Sequence, residues 1–145
     1  MRDKALSLLG LMRRARAIEA GEANTGSAVH GGKAKLLLLA SDASENARKR
    51  AETFAYGRRV IMVPLPFTKE ELAESLGTGS CAMAAVTDLG FAAKLTELLA
   101  QMEPEKYAAA AEEVARRRDK AARRKESTAQ ERNKRTGKRR TNGWV

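Results

Sequence analysis

The stretch "AKLLLLASDASENARKR", residues 34–50, decides the fold. Its four leucines are followed at once by Ala40, with no polar residue among them. A strand with one wet face alternates apolar and polar side chains, so an unbroken apolar run belongs to a strand covered on both faces. Residues 35–40 are therefore predicted as a strand inside a sheet with helices on either side. Asp42 and Glu45 have the spacing of a capping box. Ala47, Ala51, Phe54 and Ala55 then recur at helical spacing. Catalytic carboxylates also sit at strand ends in α/β folds. A metal-assisted phosphoryl transfer would want a second carboxylate nearby, and Asp42-Ala43-Ser44 offers none. The cap explains Asp42 in full.

On the N-terminal side, Ala5, Leu8, Leu9 and Met12 form a helical stripe over residues 4–16, with Arg13, Arg14 and Arg16 off it. Residues 17–20 read as a short strand, and "GEANTGSAVHGG", residues 21–32, as a helix closed by Gly31 and Gly32. On the C-terminal side, "RVIMVP" reads as a strand stopped by Pro64 and Pro66. Thr68 and Glu71 repeat the capping-box spacing, opening a helix that ends at Gly77. "CAMAAV", residues 81–86, is a further strand, and Asp88 caps a helix with the stripe Phe91, Leu95, Leu98, Leu99 and Met102. Strands alternating with helices predict an α/β fold, a three-layer α/β/α sandwich around a small mixed sheet of about four strands. Pro104 marks the expected boundary between a domain of residues 1–103 and a basic C-terminal extension of residues 104–145. The start of that extension is rich in helix formers. Its last part, residues 126–145, is polar and aperiodic and is expected to be disordered.

Charge divides the chain unevenly. Residues 1–102 carry 14 basic and 11 acidic side chains, a net of +3, whereas residues 103–145 carry 14 and 7, a net of +7. A near-balanced body with a strongly basic tail points to a polyanionic partner, nucleic acid before an acidic membrane surface. No apolar run approaches the length of a membrane span, and no secretory leader is read at the start. The single Cys81 excludes an intramolecular disulfide and fits a reducing cytoplasm. In its apolar setting it reads as a buried structural thiol.

Other chemistries lack their residues. One histidine, His30, and one cysteine cannot build a zinc-type cluster. No Gly-x-Ser-x-Gly elbow accompanies His30, which reads as a helix-end residue. "GTGS", residues 77–80, lacks the lysine of a phosphate loop and sits between helix and strand, the reverse of the phosphate-binding order. It reads as a tight turn. The basic clusters at residues 13–16, 33–35 and 48–50 each resemble an ordinary solvated face. Few aromatics argue against a stacking platform for single strands.

Four segments carry a family resemblance: "LSLLGLMRRARAIEAGE" (6–22), "GGKAKLLLLASDASENARKR" (31–50), "ELAESLG" (71–77) and "AVTDLGFAAKL" (85–95). Over about residues 4–100 the chain resembles the bacterial YlxQ-type branch of the kink-turn-binding, L7Ae-like ribosomal protein family. The resemblance implies an α/β/α sandwich that binds structured, kink-turn-like RNA and is not an enzyme, with no cofactor, metal or catalytic residue. In kink-turn binders an Asn-Glu…Lys set on the helix after a glycine reads tandem sheared G·A pairs. Aligned on Gly21 and Gly32, that set falls on Ala23, Asn24 and Ser27, so one amide remains and the lysine is gone. The apolar loop of those binders is Thr78-Gly79-Ser80 here. The implied RNA-binding residues are Gly21, Glu22, Asn24, Thr25 and Ser27 on the helix, Lys33 and Lys35 beside it, and Gly77, Thr78 and Gly79 in the opposing loop. Asn24, Thr25 and Ser27 would give neutral hydrogen bonds, and the two lysines would meet phosphates.

The expected partner is RNA, ribosomal RNA foremost, met on the ribosome or during its assembly by a cytoplasmic protein that is monomeric when free, away from membranes. Two other classes stay open. One is an accessory substrate-binding module for an RNA-modifying enzyme, although the chain turns basic and polar where a catalytic domain would follow. The other is a protein-interaction module whose tail docks an acidic partner.

Overall fold

The computed structural model describes residues 1–144, with side chains through Arg132. Its elements in chain order are α1 (Arg2–Arg14), β1 (Ile18–Ala20), α2 (Glu22–His30), β2 (Leu36–Leu39), α3 (Glu45–Ala55), β3 (Ile61–Pro64), α4 (Lys69–Leu76), β4 (Met83–Val86), α5 (Leu89–Met102) and α6 (Pro104–Trp144). The sheet has the order β1-β4-β2-β3, with β2 and β3 parallel and the other pairs antiparallel. The expected mixed four-stranded sheet is present. Among the described residues, no helix is long and apolar enough to cross a membrane.

The leucines of β2 explain the three layers. Successive side chains on a strand point to opposite faces. Leu36 and Leu38 enter a core with α1, α4 and α5, where Leu9, Leu72 and Leu95 meet them. Leu37 and Leu39 enter a second core with Val29 of α2, Ala51 of α3 and Met83. All four are at most 4% exposed. Burying each such side chain stabilises the fold by roughly 1.5–3 kcal/mol, and neither layer can be removed without exposing two of them.

Two of the three expected caps form as read. The Thr68 hydroxyl accepts from the Glu71 N–H while the Glu71 carboxylate accepts from the Thr68 N–H. That backbone N–H, together with Arg2 alongside, holds the Glu71 carboxyl below its usual value. Asp88 accepts from the Phe91 N–H at 2.9 Å. The third cap is corrected. α3 is capped by Ser44, whose hydroxyl accepts from the Ala47 N–H. Asp42 instead accepts the Lys69 N–H at 2.7 Å and so caps α4 from the neighbouring loop.

The C-terminal segment also differs from its expectation. α6 is one helix from Pro104 to Trp144, so residues 126–144, read as disordered, continue it; Val145 lies outside the described residues. Alanine, glutamate, lysine and arginine favour helix over the first part of α6, residues 105–125, and Glu113 pairs with Arg116 and, four residues on, with Arg117. Nor does the packed body stop at residue 103. Tyr107 and Val114 are each 1% exposed and belong to the larger core. The Tyr107 hydroxyl donates to the Pro64 carbonyl at 2.6 Å, and the Arg117 guanidinium donates to the Arg59 carbonyl. Ten helical residues rise about 15 Å, and the five steps from Arg59 to Pro64 span about 16 Å of extended chain. α6 thus runs antiparallel along β3, covering a sheet edge that would otherwise present unpaired backbone groups. Pro64, which has no N–H to donate, is tolerated there because β3 is an edge strand.

Candidate nucleic-acid interface

The strand ends divide the molecule into two poles. At one, Gly21 follows β1 and donates its N–H to the Met83 carbonyl at the start of β4, at 3.0 Å. At the other, the Lys35 N–H donates to the Val86 carbonyl at the end of β4, at 2.7 Å.

Gly21 is the N-cap of α2 and has φ 93°, a conformation that only glycine adopts without strain. No side chain caps α2, so its first-turn N–H groups meet no side-chain acceptor. The helix dipole adds partial positive charge at that point. Glu22 accepts from Arg50 through both carboxylate oxygens at 2.8 Å. The Asn24 amide donates to the Ala20 carbonyl at 2.9 Å, which holds this side chain beside the helix start. Ala23, Asn24 and Ser27 are exposed. Gly26 faces the other way, against Phe54 of α3: a Cβ there would lie 3.0 Å from the Phe54 ring. A glycine that costs helix propensity lets α2 and α3 approach closely.

The opposing loop is held at both ends. Gly77 ends α4 in the left-handed conformation, φ 66°, beneath the guanidinium of Arg13. Thr78, Gly79 and Ser80 are exposed. Cys81 is buried and its thiol donates to the Met83 carbonyl at 3.1 Å. Burial pushes the thiol up in pKa, while the Gly21 N–H beside it pulls the other way. The end of the loop therefore lies beside the Gly21 N–H at the start of α2.

The fold places Gly21, Glu22, Asn24 and Ser27 on the start of α2, at the sheet end where the loop that carries Gly77, Thr78 and Gly79 enters β4. Two expectations are corrected. Thr25 is fully buried, its hydroxyl oxygen without a hydrogen-bond partner, because position 25 lies on the sheet-facing side of α2. It cannot contact an external ligand. Lys33 and Lys35 are not beside the glycine end of α2. They follow its C-terminus, at the opposite pole, because β2 and β4 are antiparallel and Lys35 pairs at the far end of β4. Sequence reasoning also missed Arg50 and Arg13 as neighbours of this surface. Both lie in basic clusters visible in the sequence, but contacts with Glu22 and Gly77, 28 and 64 residues away, leave no local signal.

Known proteins carry the same fold and sequence pattern. The family model described as "Ribosomal protein L7Ae/L30e/S12e/Gadd45 family" matches residues 3–96. The chain is 38% identical over 96 residues to RNA-binding protein YlxQ of Bacillus subtilis (strain 168), covering 63% of this chain and 91% of that protein. It is 34% identical over 98 residues to RNA-binding protein YlxQ of Enterococcus faecium, covering 68% and 93%. The solved structure of a protein with unknown function from Bacillus halodurans C aligns with a TM-score of 0.60 and 32% identity over 66% of this chain and 95% of that one. The Giardia lamblia 15.5kD RNA binding protein aligns with a TM-score of 0.51 at 19% identity, over 71% of this chain and 84% of that one, a likeness of fold alone. With 94 consecutive residues matched by the family model and both YlxQ relatives covered almost end to end, the chain belongs to the ribosomal protein L7Ae/L30e/S12e/Gadd45 family.

Proposed function

We propose that this protein is a non-enzymatic, cytoplasmic RNA-binding protein that acts as a monomer on ribosomal RNA during ribosome assembly. The RNA lies across the start of α2 and the Gly77–Ser80 loop. The observation that carries this reading is the uncapped N-terminus of α2 at Gly21, set beside an exposed glycine-containing loop. Free N–H groups on a positive helix end donate to phosphate and base oxygens. Exposed Asn24 and Ser27 add neutral hydrogen bonds. Structured RNA is read through shape, backbone and splayed bases, which suits such a shallow polar surface. The YlxQ relatives carry RNA binding in their names, and the residues 3–96 matched by the family model contain this surface.

The test is ultraviolet crosslinking of the full chain to RNA, followed by sequencing of the RNA and identification of the crosslinked peptides. Crosslinks to residues 21–27 and 77–80 on ribosomal RNA are expected. Crosslinks confined to α6 would place the RNA elsewhere.

A further inference from the structure

The pole opposite Gly21 holds a feature that the reading above does not use. Between α6 and the loops that lead into β2 and β3 lies a cavity of about 500 Å³. Six cationic side chains from three separate segments line it: Lys35 before β2, Arg58 and Arg59 before β3, and Arg117, Lys120 and Arg124 on α6. No acidic side chain lines it. The α6 residues are spaced three, four and seven apart, so they occupy one face of the helix. Glu113 neutralises Arg117. Among the described residues, Lys35, Arg58, Arg59, Lys120 and Arg124 form no ion pair. The Arg58 guanidinium meets the His30 ring at 3.1 Å.

Gathering unpaired like charges around one hollow weakens the free protein through mutual repulsion. A bound polyanion reverses that cost. We propose that this cleft is a second RNA-binding site, one that grips the phosphodiester backbone flanking the element held at the Gly21 pole. Its chemistry points to phosphates, because six cationic side chains and no acidic one line it. No aromatic side chain lines it, so bases have nothing to stack on. Its shape points to a polymer. Arg124 also lines an adjoining cavity with Lys125 and Arg132, so positive charge continues along α6 past the cleft, a strip longer than a compact ligand could use. The distance is also suitable. The two poles are separated by the length of β4, three residue steps or about 10 Å of strand, so one RNA molecule can reach both. The α6 wall lies beyond the 3–96 span of the family model, so the cleft exists because this chain carries α6.

The inference rests on RNA being the partner, and the test separates the two ideas. The full chain, the cleft variant Arg58→Ala/Lys120→Ala/Arg124→Ala and the Gly21-pole variant Asn24→Ala/Ser27→Ala are titrated with one RNA hairpin carrying tandem G·A pairs, over a range of salt. The three cleft positions are exposed or at a helix surface, and an unchanged circular-dichroism melt verifies the fold. The slope of log K against log [salt] should fall by roughly 2–3, about 0.9 for each phosphate contact removed. The loss should be equal for a hairpin without the G·A pairs. Unchanged affinity and slope in the folded cleft variant, with binding weakened in the Gly21-pole variant, overturn the cleft and leave the RNA reading standing. Absence of RNA binding by the unaltered chain overturns both. Poly-glutamate binding that the cleft variant loses, while RNA binding persists, overturns the proposal in favour of an acidic protein partner.

Discussion

The carboxylate of Asp42 accepts the backbone N–H of Lys69, 27 residues further along the chain, at 2.7 Å. Lys69 is the first residue of α4, so an acid at the end of one strand satisfies an orphan donor and complements the dipole of a helix that follows the next strand. The loop after β2 is thereby pinned to the loop after β3, which fixes the parallel pair at its end.

Asp42→Ala should therefore cost about 0.5–1.5 kcal/mol, the usual net worth of one hydrogen bond, and Asp42→Asn should cost little, because its amide oxygen can accept the same Lys69 N–H. Ser44→Ala, which uncaps α3 instead, should fall in the same range. Urea unfolding of the three variants is the measurement. A loss confined to Ser44→Ala would show that the Asp42–Lys69 bond contributes nothing in solution.

Truncation separates the packed part of α6 from the rest. Removing residues 104–145 takes away Tyr107 and Val114, and deleting one large buried aromatic alone typically costs about 3–5 kcal/mol. The melting transition should drop sharply or vanish. A chain ending at residue 125 keeps both residues and the Arg117–Arg59 contact, and should melt as the full chain does. Equal melting of both truncations would mean that the core closes at residue 103.

Burial, and to a lesser degree the charge of Glu103, raise the Tyr107 hydroxyl from 10.0 to about 12. Its folded pKa lies above its unfolded value, so its contribution to stability is fully present below about pH 10 and is lost as pH rises toward about 12. Tyr107→Phe should cost about 1 kcal/mol at neutral pH, by leaving the Pro64 carbonyl unpaired, and should flatten the alkaline decline. In a Tyr56→Phe background, where Tyr107 is the only tyrosine, spectrophotometric titration should show tyrosinate forming near pH 12. Ionisation at the ordinary phenolic value would contradict the buried Tyr107–Pro64 bond.

Specificity at the Gly21 pole should be weak. In the alignment that the family resemblance implies, Ala23 and Ser27 stand where kink-turn binders carry part of their reading set, and Thr78-Gly79-Ser80 stands in place of their apolar loop. The protein should prefer a kink-turn RNA over one lacking its G·A pairs by less than about tenfold, equivalent to about 1.4 kcal/mol. Ser27→Lys, at an exposed position, should tighten binding modestly. A fluorescence titration of both RNAs reads this directly, and strong discrimination by the unaltered protein would show that Asn24 and its neighbours already suffice.

The sequence by itself determined the sandwich, because its evidence is local. Leu36–Leu39 must be covered on two faces wherever they lie, the apolar stripes repeat at helical period, and Thr68 and Asp88 cap helices only three residues away. The position of Gly21 as the start of α2 was legible for the same reason. Tertiary structure alone decided the rest. Asp42 and Ser44 both have capping chemistry, and only the placement of α4 beside the loop after β2 assigns one helix to each. Thr25 and Ser27 are equally polar on paper, but one helix face meets the sheet and the other meets water. Lys33 and Lys35 follow α2 closely in sequence, yet the antiparallel pairing of β2 with β4 sends them to the far pole. There Lys35 joins Arg117, Lys120 and Arg124 of a helix whose charges read, in one dimension, as a tail. A charge cluster gathered from three segments has no sequence period, because the chain's path through space, and not spacing along it, brings those residues together.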